Sequence, residues 1–187
     1  LAEIKDENAM RVKSEAALRE SEERYRAIFE HSGVGIVYFS PNGTIISLNN
    51  KAASNMGGAL EEYIGKSLNE MFAKDEADIY QTRIESAASS DVSHVYESCI
   101  VRNSIPKWYF STYTRVTSAS GRVIGVLIAS QDITERKQAE EEIRHLAFFD
   151  YLTNVYNRRY FESEFARLVA ESSFPLSIIT GDINGLK

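Results

Sequence analysis

Residues 1–30 contain neither Pro nor Gly, and at Gly33 the hydrophobic period changes abruptly from helical to strand-like. That switch requires a long helix running into a sheet. Upstream of it, Leu1, Ile4, Ala9, Val12, Ala16, Leu18, Tyr25, Ile28 and Phe29 recur mostly at three- and four-residue spacings among Glu, Lys and Arg, the pattern of an exposed charged helix. Asn8, Arg11 and Glu15 interrupt a strict heptad, so a coiled-coil seam and a solvated helix lying on its own domain both stay open. Downstream, two β-rich runs, 35–40 and 44–49, flank Pro41-Asn42-Gly43. An Asn-Gly pair between such runs is a strong hairpin signal, because both residues tolerate positive φ.

Residues 50–90 return to helical character: a short piece from Ala52 to Met56 closed by Gly57-Gly58, a turn-rich stretch from Glu61 to Phe72, and a longer helix around 75–89. Three more strands follow at about 92–102, 107–116 and 123–131, joined by hairpin-length connections that make them antiparallel. The expected fold class is α+β, a five-stranded antiparallel sheet with short helices on one face and a connector helix at each end. The second connector, from Thr134 to Leu146, carries Ala139, Ile143 and Leu146 at four-three spacing, a seam that can pair with a copy of itself. A homodimer through the connector helices is the expected assembly. From about Phe148 a new unit starts: Asn157-Arg158-Arg159 leads into an amphipathic helix that ends before Pro175, and Leu176 to Thr180 reads as a buried strand. One helix and one strand cannot enclose a core, so this reads as the opening of a further α/β domain. The expected divisions are 1–20, 21–136, 137–148 and 149–187.

Charge narrows the function. With 21 basic against 27 acidic residues the net charge is -6, which offers no basic field for nucleic-acid phosphates. The lone Cys99 cannot form an internal disulfide, and low cysteine content suits a reducing compartment. The longest apolar stretch, Val123 to Ala129, is strand-sized and too short to span a bilayer. The expected location is cytoplasmic, compatible with an upstream membrane anchor or sensory domain in a longer parent protein.

Several ordered features over residues 21–136 carry a family resemblance: Tyr25-Arg26-Ala27-Ile28-Phe29-Glu30, Pro41-Asn42-Gly43, Asn49-Asn50-Lys51-Ala52-Ala53, Ile64-Gly65-Lys66-Ser67-Leu68, Gly121-Arg122-Val123-Ile124-Gly125 and Asp132-Ile133-Thr134-Glu135-Arg136-Lys137. This set resembles a PAS sensor domain. The C-terminal segment resembles the beginning of a GGDEF-family diguanylate cyclase domain, through Asp150-Tyr151-Leu152-Thr153-Asn154-Val155-Tyr156-Asn157-Arg158-Arg159 and Gly181-Asp182-Ile183-Asn184-Gly185-Leu186-Lys187. It departs from that family at Asn154, where Gly is usual, and the loop that names the family is absent from these residues.

Asp182 follows an apolar run, where a carboxylate is exposed at a strand's carboxyl end. The resemblance implies that it is a Mg²⁺ ligand and that Asn184 lies near the nucleotide, with two GTP molecules meeting across a two-fold to give cyclic di-GMP. Without the remaining site the 187 residues alone are expected to be inactive. In the sensor, Tyr96, Trp108 and Phe110 are candidates for an aromatic pocket that would take a small molecule, ordinary core being the alternative. Neither haem nor flavin is expected: Cys99 sits in a strand rather than on a helix, and His31, His94 and His145 are not placed as axial ligands. Asp132 and Thr134 can cap the outgoing helix and couple it to the last strand. The sequence therefore points to a sensory module regulating a diguanylate cyclase. The competing reading is a ligand-free interaction module feeding a degenerate GGDEF domain or one joined to a cyclic di-GMP phosphodiesterase.

Overall fold

The computed structural model describes residues 2–102, 104–171 and 175–181. They fall into two compact units, residues 1–134 and 135–187.

The first unit opens with α1 (Ala2–Glu30), laced by the i,i+4 pairs Arg11–Glu15, Arg19–Glu23 and Glu20–Arg24. Its apolar residues Met10, Val12, Leu18, Tyr25 and Ile28 are exposed. Strands β1 (Gly35–Phe39) and β2 (Ile45–Leu48) form the expected hairpin. Gly43 takes φ of +79°, the left-handed conformation that favours glycine at this turn. Helices α2 (Asn50–Met56), α3 (Leu68–Met71) and α4 (Lys74–Ala88) follow, with a short 3₁₀ turn at Leu60–Glu62. Strands β3 (His94–Arg102), β4 (Ile105–Thr117) and β5 (Val123–Asp132) complete an antiparallel sheet in the order β2-β1-β5-β4-β3. Bringing β5 between β1 and β4 places the last strand at the centre, next to the first.

The helices cover one face of the sheet. There Phe39, Ile45, Leu48, Ala52, Ala53, Leu68, Ala77, Ile84, Tyr113, Val126 and Ile128 form the core. Gly35 lets α2 pack closely on β1: a Cβ would stand 3.1 Å from the Ala52 backbone. The opposite face carries Tyr38, Cys99, Trp108, Phe110 and Leu127, following the two-residue alternation of the paired strands.

In the second unit, α5 (Thr134–Phe148) begins at the unit boundary and α6 (Arg158–Ala170) follows a tight corner. The expected seam residues Ile143 and Leu146 of α5 are exposed. Asp150 Oδ1 accepts from the amides of Leu152 and Thr153 and from the Thr153 hydroxyl, holding the corner. Asn154 takes φ of +55°, so the residue that stands where the resembled family has Gly occupies the backbone conformation that glycine favours and asparagine tolerates. Asn157 caps α6 by accepting from the Tyr160 amide and donates to the Ala147 carbonyl at the end of α5. Residues 176–180, expected as a buried strand, form none: no partner strand lies beside them among the described residues, and Ile179 is almost fully exposed.

Candidate functional site

A cleft of about 900 Å³ opens between the helices and β3, lined by Met56, Tyr63, Phe72, Ile79 and Tyr80 and by the charged side chains of Lys66, Glu70, Glu76, Arg83 and Arg102. Behind it, between α2, α4 and the sheet, lies a smaller and mostly apolar cavity of about 100 Å³ that includes Val37, Phe39, Tyr109, Ser111, Tyr113 and Ile128. Met56, Phe72, Tyr80, Ile100 and Arg102 border both. Ligand sites usually measure roughly 300–1,000 Å³. The outer cleft is of that size and the inner cavity is not.

The strand period explains who lines these spaces. Tyr96 pairs with Ser111 and His94 with Tyr113, so the inner residues of β4 are Tyr109, Ser111 and Tyr113. Tyr96 faces the core side, edge-on to Tyr113 at 5.2 Å, with the Arg83 guanidinium 4.4 Å from its ring centre. Trp108 and Phe110, expected in the pocket with Tyr96, point to the opposite face. Their parity on β4 is odd to that of the cavity residues, and an aromatic stands on either side of the strand, so residue type alone does not reveal the inner face. The sequence counts Tyr109 and Tyr113 among the sensor aromatics without singling them out, and it gives no sign of Arg83 and Arg102. Cys99 is exposed and pairs with Trp108 across β3 and β4.

Arg102 donates to the Met56 carbonyl at the end of α2, which also accepts from the Tyr63 hydroxyl at 3.0 Å. Arg83 donates to Ser98 Oγ at 3.0 Å. Burial pushes the phenols of Tyr80 and Tyr113 up, assisted at Tyr80 by Glu76 and opposed at both by Arg83. Both stay protonated at neutral pH; Tyr80 donates to Glu76, and the Tyr113 oxygen accepts from Arg83.

Two junctions join this body to its flanking helices. At the incoming one, the fully buried Asn49 uses its whole amide: Oδ1 accepts from Ile36 and Ala52, each at 2.9 Å, while Nδ2 donates to the carbonyls of Phe29 at 2.8 Å and Val34 at 3.0 Å. One side chain thereby ties the end of α1, β1 and α2 together. Glu30 adds contacts to the Asn50 amide and side chain.

At the outgoing junction, Asp132 Oδ1 accepts from the Thr134 amide at 3.0 Å and hydroxyl at 2.6 Å. The Thr134 hydroxyl oxygen accepts from the Trp108 amide at 2.9 Å, and Ile133 donates to the Trp108 carbonyl at 2.8 Å. Both residues expected to transmit the signal are therefore at one knot, where the first residue of α5 is bonded to β4. Partial burial pushes the Asp132 carboxyl up, but the Thr134 hydrogen bonds and the Lys107 ammonium 3.7 Å away outweigh it and hold the group below the usual carboxylate range. Asp182 and Asn184 lie outside the described residues. Among the described residues no cluster of three His, Cys, Asp or Glu could hold a metal, and no helix is long and apolar enough to cross a membrane.

Comparison with known proteins agrees with this architecture. The family model described as the PAS fold matches residues 29–138, more than half of the chain. The chain belongs to the PAS family. It is 28% identical over 182 residues to the uncharacterized protein y4lL of Sinorhizobium fredii, covering 91% of this chain and 22% of that protein. To sporulation kinase C of Bacillus subtilis it is 27% identical over 197 residues, covering 100% of this chain and 44% of the kinase. The chain thus spans less than half the length of either curated relative. Among solved structures, the PAS domain of an HTR-like protein from Haloarcula marismortui is 27% identical with a TM-score of 0.53, covering 65% of this chain and 98% of that one. A PAS domain from Colwellia psychrerythraea has a TM-score of 0.52 at 22% identity, covering 62% of this chain and 98% of that one. The α+β PAS fold, a signal-sensing module of signalling proteins, is the frame for both the cleft and the junctions.

Proposed function

We propose that this PAS domain senses a small molecule in its cleft and passes the occupancy through Asp132-Ile133-Thr134 into α5, which sets the activity of a diguanylate cyclase output in a homodimer. One observation carries the coupling: β4 contributes Tyr109 and Ser111 to the inner cavity, which shares Phe72, Tyr80 and Arg102 with the cleft, and the adjacent Trp108 binds the first residue of α5. A shift of this strand moves the helix start with it. The cyclase assignment is supported by the Asp150 to Arg159 and Gly181 to Lys187 motifs. In such an output Asp182 would hold Mg²⁺, Asn184 would lie near GTP, and the metal would supply charge neutralisation at the phosphates.

The test is the natural full-length protein incubated with GTP and Mg²⁺, with and without Asp132→Ala. Cyclic di-GMP formed by the wild type at a rate altered by the variant supports the proposal. A second reading, a kinase output, is favoured by the match of sporulation kinase C across the chain. Phosphoryl transfer from ATP with no product from GTP would decide for it.

A further inference from the structure

The two arginines of the cleft differ from the other half-buried one. Arg115, farther along the same face of β4, is paired with Asp91. Arg83 and Arg102 are also half-buried, and among the described residues neither has a carboxylate within ion-pair distance. Their partners are neutral: Ser98, the Tyr96 ring and the Tyr113 hydroxyl for Arg83, and the Met56 carbonyl for Arg102. A guanidinium carries more N–H donors than these partners use, and a charge withdrawn from water is costly unless an anion meets it.

The remaining charges of the cleft do not supply that anion. Glu70 is occupied by the Ser67 amide and hydroxyl at 2.8 and 2.6 Å, where it caps its own helix. Glu76 accepts from the Tyr80 hydroxyl at 3.4 Å. Lys66 adds a third cation to the lining. The same cleft is lined by the apolar side chains of Met56, Phe72 and Ile79, a surface that suits the body of an organic molecule rather than a bare inorganic ion.

We propose that the cleft is a receptor for a small organic carboxylate, its head held by Arg83 and Arg102 and its apolar body resting against Met56, Phe72 and Ile79. This rests on the sensory reading given above and names its ligand class. Guanidinium groups recognise carboxylates through paired N–H donors, a geometry that lysine does not reproduce. Arg102 also holds the end of α2 through the Met56 carbonyl and borders the inner cavity, so a carboxylate on its remaining N–H groups is linked through it to α2.

The probes are phenylacetate, octanoate and succinate, with phenylacetamide as the neutral counterpart and inorganic phosphate as the anion without an apolar body. Thermal unfolding of the 187-residue chain and the Nε–H resonances of Arg83 and Arg102 are followed together. The expected result is that at least one carboxylate raises the melting temperature and shifts both arginine signals, while the amide and phosphate do neither. Arg83→Met and Arg102→Met are each expected to weaken that carboxylate at least tenfold. The wild-type arginine signals keep the test decisive should either variant fold poorly. Equal binding of the amide would overturn the carboxylate assignment while leaving a small-molecule sensor standing, and equal binding of phosphate would overturn the role of the apolar wall. No response to any probe would overturn the receptor, and a cyclase still controlled by the Asp132 junction would show that the sensory reading survives it.

Discussion

The incoming and outgoing junctions perform the same task, joining a helix to the sheet, with opposite chemistry. At the incoming side a neutral amide, Asn49, is sealed from solvent and has every donor and acceptor matched. At the outgoing side a carboxylate and a hydroxyl, Asp132 and Thr134, are half-buried and lean on a Lys107 ammonium that is largely in water. A satisfied buried network has one arrangement, because any other leaves polar groups unpaired in a medium without water. A half-exposed charged knot has alternatives, since water can replace each partner. On the function proposed above, the incoming junction is the fixed frame and the outgoing one is the place for transmission.

Substitutions should separate the two. Asn49→Ala removes partners from two amides and two carbonyls and should cost about 3 kcal/mol or more, measured by urea unfolding. A loss near that of a surface substitution would remove the distinction. Asp132→Ala, which deletes the acceptor at the start of α5, should cost about 1 kcal/mol while changing output much more than Asn49→Asp changes it per unit of lost stability. Thr134→Val leaves the Trp108 amide without its acceptor and should also cost about 1 kcal/mol, with the loss of protection confined to that end of β4.

Acid should distinguish them further. The Asp132 carboxyl is held below its unfolded value, so its contribution is present above about pH 4 and is lost as the pH falls through the folded value. The stability difference between the wild type and Asp132→Asn should accordingly shrink from pH 7 to pH 3. The penalty of Asn49→Ala should stay constant, because the amide does not titrate. Glu30→Gln, at an exposed contact with Asn50, should change stability least, by less than about 0.5 kcal/mol.

Much of this architecture was legible in the sequence for physical reasons. The Asn42-Gly43 turn and the Gly57 stop of α2 each correspond to a positive-φ backbone conformation. Side-chain parity on β4 was not legible, since Trp108 and Tyr109 are equally suited to a core and only cross-strand register says which faces it. Arg83 and Arg102 were hidden for a related reason. A charged residue in a helix or strand reads as solvated until the fold brings an apolar wall beside it. Asn49 belonged to a recognised motif, yet its part in anchoring α1 depends on a carbonyl twenty residues away. The strand expected at 176–180 depended on a neighbour that the described residues do not provide.

Native-state hydrogen exchange tests the contrast between the junctions most directly. The amides of Ile36 and Ala52, which donate to Asn49, should exchange only through global unfolding, whereas those of Trp108 and Thr134 should open locally at a distinctly lower free energy. Equal opening free energies at both ends would contradict the assignment of transmission to the outgoing side.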